Sequence, residues 1–189
     1  WRALGPERLA FRPLEGECPH EPSTWRLHTM KYTPYGNTGK SVSTVGFGGM
    51  RFDMERDAEE NADLVRYANQ KGINYFDTAP RYCQDKSEEI FGLAFADMPG
   101  DFYVSTKVMP TDVNTIDGAR QAVEKSLRRL GVPKIHFFHV WCLRCMDHYH
   151  LAMQKGGLYE GLVRCRDEGL IDHIVFSSHQ TGAEIRTIV

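Results

Sequence analysis

Five short apolar runs recur along the chain about every 30 residues, the spacing expected when ~250 residues build eight β/α units. They are "VSTVGFGGM" (42–50), "INYFD" (73–77), "FYVSTKV" (102–108), "IHFFHVW" (135–141) and "HIVFSS" (173–178). Amphipathic patterns lie between them. In 61–71 the apolar positions are Ala62, Leu64, Val65 and Ala68, and the segment stops at Gly72. In 117–130 they are Ala119, Ala122, Val123, Leu127 and Leu130, stopped by Gly131. In 157–168 they are Leu158, Leu162 and Cys165, stopped by Gly169. Steps of three and four put each set on one helix face, and glycine supplies the left-handed residue that ends a helix. A parallel strand pair needs a long crossover, which a helix fills, so strand–helix–strand repeats predict parallel β/α units.

The expected architecture is therefore α/β, a TIM (β/α)8-type barrel that is here incomplete. Residues 30–189 hold about five of its units, ending in "TGAEIRTIV" as a fifth helix opens. The Asn37-Thr38-Gly39 stretch between two strand-like runs predicts an N-terminal hairpin. Residues 1–29 are rich in Pro, Arg and Glu and follow neither period, so they are expected to be an atypical extension, with Met30 the natural beginning. Five strands without closure predict bare sheet edges and self-association through them.

Composition narrows the partners. Hydrophobic residues make up 41% and charged residues 25%, enough to bury a core. A net charge of −2 without long single-sign runs argues against nucleic acid or an anionic membrane as an obligatory partner. No stretch of 18 apolar residues offers a spanning helix. The odd set of five cysteines (18, 83, 142, 145 and 165) forms no disulfide framework and predicts reduced thiols in the cytoplasm. Cys142, Cys145, His148 and His150 are crowded together without a second ligand pair at zinc spacing, so no metal is expected.

In parallel β/α folds, chemistry collects where strands end. Those ends present Gly49 and Met50, Asp77 and Tyr82, Lys107, Trp141, and Ser177 with Ser178. A lysine in a barrel mouth must be paired, and Asp77 on the neighbouring strand can pair it. A cation fixed beside Tyr82 is expected to pull the phenol pKa down, so that Tyr82 can donate a proton to a developing alkoxide. That is apparatus for reducing a carbonyl beside a hydride donor.

The stretches "FDTAPRY…SEEIFG", "VSTK", "GFGGM" and "KGGLYEGLVRCRDEGLIDHIVFSSH", in this order and spacing, resemble the aldo-keto reductase family from about Met30 onward. The resemblance implies a (β/α)8 barrel using NADP(H), a small carbonyl substrate, and a tetrad of Asp, Tyr, Lys and His. By motif, Asp77, Tyr82 and Lys107 carry over as pair partner, proton donor and tuning cation. The fourth member does not: Trp141 stands at the histidine and offers one N–H donor but carries no proton. His139 lies two residues earlier on the same face, about 7 Å deeper, either packed or assisting through water. Ser177 and Ser178 stand where the family has Ser-Asn on the nicotinamide carboxamide, and Gly49 and Met50 where residues line that end of the cofactor. The departure resembles a subgroup whose full-length members often carry a C-terminal iron–sulfur segment, so a 4Fe-4S cluster is expected only in a segment missing here. Two rivals stay open: a non-catalytic barrel relative binding a nucleotide or protein partner, and a fragment without independent function.

Overall fold

A computed structural model describes residues 29–188. The expectation for residues 1–29 therefore falls, Thr29 apart, outside the described residues. The chain opens with a hairpin of β1 (Tyr32–Pro34) and β2 (Ser41–Ser43), antiparallel, turning through Gly36 and Gly39. Five strands then form one parallel sheet: β3 (Phe47–Gly48), β4 (Tyr75–Asp77), β5 (Tyr103–Val108), β6 (Ile135–Leu143) and β7 (Ile171–Ser178). Their spatial order is their sequence order. Helices α1 (Ala58–Gln70), α2 (Ser87–Phe95), α3 (Ile116–Leu130) and α5 (Leu158–Asp167) make the crossovers. The short α4 (Met146–Met153) follows β6, and α6 (Gly182–Ile188) follows β7. This is the expected incomplete barrel, with β3 and β7 outermost among the described strands.

Three expected helices form within three residues of their sequence-read bounds, and local chemistry explains the ends. Asp57 and Glu60 form a reciprocal capping box at the start of α1. Thr115 caps α3 by accepting from the Gly118 amide. Gly72, Gly131 and Gly169 all adopt the positive φ that ends a helix at little steric cost.

The first run is corrected. Residues 42–50 are not one strand: Ser41–Ser43 belongs to the hairpin, Phe47–Gly48 to the sheet, and Gly49–Arg51 to a single 3-10 turn. The side chain of Asn74 explains the break, because it accepts from the Ser43 amide and donates to the Ser41 carbonyl. The hairpin is thus fastened to the start of β4, where Tyr35 stacks edge-on against Phe137 at 4.7 Å and Lys40 pairs with Asp172 at 2.8 Å. It closes the end of the sheet away from the strand tips.

Alternation along the strands sorts the side chains. Phe76, Val104, Phe138 and Val140 face the helices and join Val65, Ile90, Phe91, Val123 and Leu162 in the core. Asp77 pairs in register with Ser105, and Lys107 with His139, on the opposite, interior face. Helix α2 lies so close to α3 that a Cβ on Gly92 would overlap the Arg129 carbonyl oxygen. Gly92→Ala should therefore destabilise the fold by about 1–3 kcal/mol, read as a lower urea midpoint with unchanged slope.

Candidate active site

β4 and β5 deliver the charged centre. The Lys107 ammonium lies 2.8 and 2.6 Å from the two Asp77 oxygens, and the Ser105 hydroxyl donates to Asp77 at 2.9 Å. Lys107 is 5% exposed, so this pairing is what permits an ammonium there. Ser105 was not singled out from sequence, although it stands two residues before Lys107 and so on the same strand face.

Tyr82 sits beyond the tip of β4 on a distorted turn. Cys83, Gln84 and Asp85 are consecutive non-glycine residues with φ between 52° and 67°. Each such residue costs on the order of 1–3 kcal/mol, so the surroundings must impose the shape. They do: Arg129 on α3 donates to the Asp85 carboxylate at 2.8 Å and to its carbonyl. The Cys83 thiol reaches the Gly49 carbonyl at 3.3 Å, and the Tyr82 carbonyl accepts from Lys86 and Ser87. No local sequence signal links Arg129 to Asp85; the contact exists only once α2 and α3 pack.

The Tyr82 ring meets Trp141 edge-on, with centroids 5.6 Å apart and planes at 88°. Trp141 reaches this place through a bulge. Between Val140 and Leu143, β6 carries one residue more than β7, and Cys142 takes up φ 62°. The Ser177 hydroxyl accepts from the Cys142 amide at 3.0 Å, and the Ser178 hydroxyl donates to the Leu143 carbonyl at 3.0 Å. Both serines therefore hold the bulge.

One sequence expectation about Tyr82 is overturned. Lys107 approaches the face of the Tyr82 ring, 5.3 Å from its centroid, and among the described residues no hydrogen bond joins it to the hydroxyl. The phenol pKa is raised: burial comes first, followed by the nearby Asp77 and Cys142. The Lys107 charge is committed to Asp77, so burial rather than the cation sets the direction of the Tyr82 shift.

Gly49 and Met50 lie at the 3-10 turn after β3. A Cβ on Gly49 would strike Phe91 and Ser87, so glycine is required there by the approach of α2. Met50 is 52% exposed. His139 is enclosed beside Lys107, and neither ring nitrogen has a hydrogen-bond partner among the described residues. Burial and the Lys107 charge push its pKa down to about 4. His136 is likewise lowered to about 4, chiefly by burial, and its Nδ1 accepts from the Val104 amide. Among the described residues, no three His, Cys, Asp or Glu side chains converge on a metal position.

The family model described as "Aldo/keto reductase family" matches residues 44–188. The chain belongs to the aldo/keto reductase family. Among its relatives, "Aflatoxin B1 aldehyde reductase member 2" of Rattus norvegicus is 36% identical over 106 residues, 53% of this chain and 28% of that protein. "Probable voltage-gated potassium channel subunit beta" of Arabidopsis thaliana is 32% identical over 83 residues, 42% of this chain and 25% of that one. A solved aldo-keto reductase from Bacillus halodurans, in a holo form, superposes with a TM-score of 0.69 at 25% identity, covering 83% of this chain and 53% of that one. These matches thus span about a quarter of the curated relatives' length and about half of the solved one. In this chain the acid and the cation stand on the adjacent strands β4 and β5, and the phenol lies on the turn that follows β4.

The two neutral histidines make the fold sensitive to acid. A histidine lowered from 6.5 to about 4 binds its proton more readily in the unfolded chain, so its stabilising contribution is complete above pH 6.5 and is lost as pH falls towards 4. For His139 the loss by pH 4.5 is roughly 2–3 kcal/mol. Urea unfolding should weaken between pH 7 and 4.5, and His139→Leu should weaken less over that interval. Parallel losses in both proteins would show that His139 does not titrate on unfolding.

Proposed function

We propose that this chain belongs to an NADP(H)-dependent oxidoreductase that reduces aldehydes or ketones to alcohols, with Tyr82 as general acid. The observation that carries this is the Asp77–Lys107 pair set 5.3 Å beneath the Tyr82 ring, whose phenol pKa is raised by burial. Reduced nicotinamide, when bound, supplies the hydride to the carbonyl carbon. The chain's own residues act on the oxygen. Tyr82 donates its proton as negative charge develops there, and Lys107 adds a positive field from behind the ring. Asp77 and Ser105 fix the ammonium, while Trp141 locks the phenol in place and offers one N–H donor at the carbonyl.

The strand tips near β7 suit a nicotinamide carboxamide, though not through the pair expected from sequence. Ser178 is tied by the Leu143 carbonyl and the Gln180 amide, whereas the Ser177 hydroxyl hydrogen has no acceptor among the described residues. The side-chain nitrogen of Gln180 is buried without a partner. Ser177 and Gln180 are thus the donors this chain offers, with Gly49 shaping the backbone and Met50 bordering it. A small carbonyl compound is the partner. The free thiols Cys83, Cys142, Cys145 and Cys165 suit a reducing cytoplasm, and among the described residues no helix is long and apolar enough to cross a membrane. The outer edges of β3 and β7 suit pairing between copies.

A raised phenol pKa also gives a direction. Tyr82 is ready to donate for reduction, while oxidation of an alcohol needs the phenolate. With aldehydes and NADPH, followed by nicotinamide absorbance, the Tyr82 limb of the reductive rate should stay level from pH 7 to about 10. Alcohol oxidation should rise only above that. Tyr82→Phe should lower kcat by about 10²–10⁴-fold with KM little changed. Equal turnover in Tyr82→Phe would remove the proposed mechanism.

A second reading is a non-catalytic barrel that binds a nucleotide or a protein. Trp141 in place of a proton-carrying histidine favours it, as does the likeness to a protein named as a channel subunit. It expects NADPH binding in calorimetry with no aldehyde turned over, and the same affinity in a Tyr82→Phe, Lys107→Met double variant.

A further inference from the structure

A cavity of about 450 Å³ opens between the turn after β4, the loop after β5 and the first turns of α3, and it reaches Lys107 and Trp141. Tyr82, Ser177 and Ser178 do not line it, so it is a space beside the reacting groups rather than the place of reaction. Its size suits the body of a small ligand. Val108, Met109, Val113 and Ala122 supply apolar wall, and among the described residues the charged lining is unequal: Arg81, Lys107 and Lys125 against Asp112.

The three cations are not equally occupied. Lys107 is committed to Asp77. Arg81 pairs with Asp112 at 2.8 Å across the two loops, but the Arg81 side chain is 62% exposed and Asp112 34%. Lys125, 56% exposed, has its nearest carboxylate among the described residues, on Asp85, at 3.9 Å. Exposed pairs of this kind contribute little and exchange partners readily. A ligand anion entering the cavity would take Lys125 directly and compete with Asp112 for Arg81.

We infer that the cavity is a specificity subsite for carbonyl compounds whose apolar body ends in a carboxylate remote from the carbonyl, with Lys125 and Arg81 as the residues that select it. This rests on the proposed carbonyl reduction and names its substrate class. The carbonyl stands by Tyr82 and Trp141, the body runs along Val113 and Ala122, and the anion sits between Lys125 and Arg81. Asp112 opposes any anion that fails to displace it, which favours ligands able to form two charge-assisted contacts.

The test uses the full chain and isosteric pairs: 4-carboxybenzaldehyde against methyl 4-formylbenzoate, and 3-(4-formylphenyl)propanoate against its methyl ester. At least one acid should show a KM about tenfold below its ester, since one charged contact is worth about that factor. Lys125→Met and Arg81→Met should each bring the ratio towards one, and added salt should do the same in the parent. Equal KM values for acid and ester in both pairs would overturn the inference while leaving carbonyl reduction intact. Calorimetry with 4-(hydroxymethyl)benzoate separates the other failure. Binding that depends on Lys125, with no aldehyde reduced, would retain the anion subsite and reject the reaction. Binding unchanged in Lys125→Met would reject the subsite.

Discussion

The centre of this molecule depends on one ion pair. An ammonium that is 5% exposed cannot stand in a strand interior without a partner, because desolvation costs several kcal/mol. Asp77 provides that partner, and Ser105 satisfies another of its lone pairs. The pair in turn acts on its neighbours. Burial raises the Tyr82 phenol and lowers His139, and the pair adds to each, Asp77 to the first and Lys107 to the second.

A second constraint lies outside the charged centre. Tyr82 and Trp141 face each other across the mouth because two neighbouring backbone segments are bent against their preferences, one at 83–85 and one at Cys142. Arg129 restrains the first and Ser177 the second. Backbone strain of this kind persists only where packing over-determines it. Helix α3 is therefore more than a crossover: through Arg129 it holds the turn that presents the phenol, and through Lys125 it borders the adjoining cavity.

The groups around Tyr82 suit donation of a proton better than its acceptance. Trp141 has a single N–H and no lone pair to take a proton, and the phenol is raised rather than lowered. Both features fit the proposed protonation of a developing alkoxide. The polar groups near β7 follow the same economy of donors, with Ser178 spent on the bulge and Ser177 and Gln180 left with hydrogens to give.

Much of the fold was legible in the sequence because its signals are local. The glycine stops at 72, 131 and 169, the period of α1, α3 and α5, and the apolar runs of β4 to β7 each report on their own neighbours along the chain. Helix α2 was hidden in a motif, for it follows a left-handed turn without a side-chain cap, and α4 buries only Ala152 and so shows little periodicity. The break inside 42–50 required Asn74, some 30 residues away. Asp77, Lys107 and their pairing followed from strand ends and charge alone. What needed the assembled structure was direction: that Lys107 meets the ring and not the hydroxyl of Tyr82, that Gly49 answers to α2, and that Ser178 serves a bulge. A sequence states which groups are present and on which strand face, whereas distance and burial, which decide how a proton is held, come into being only when the layers pack.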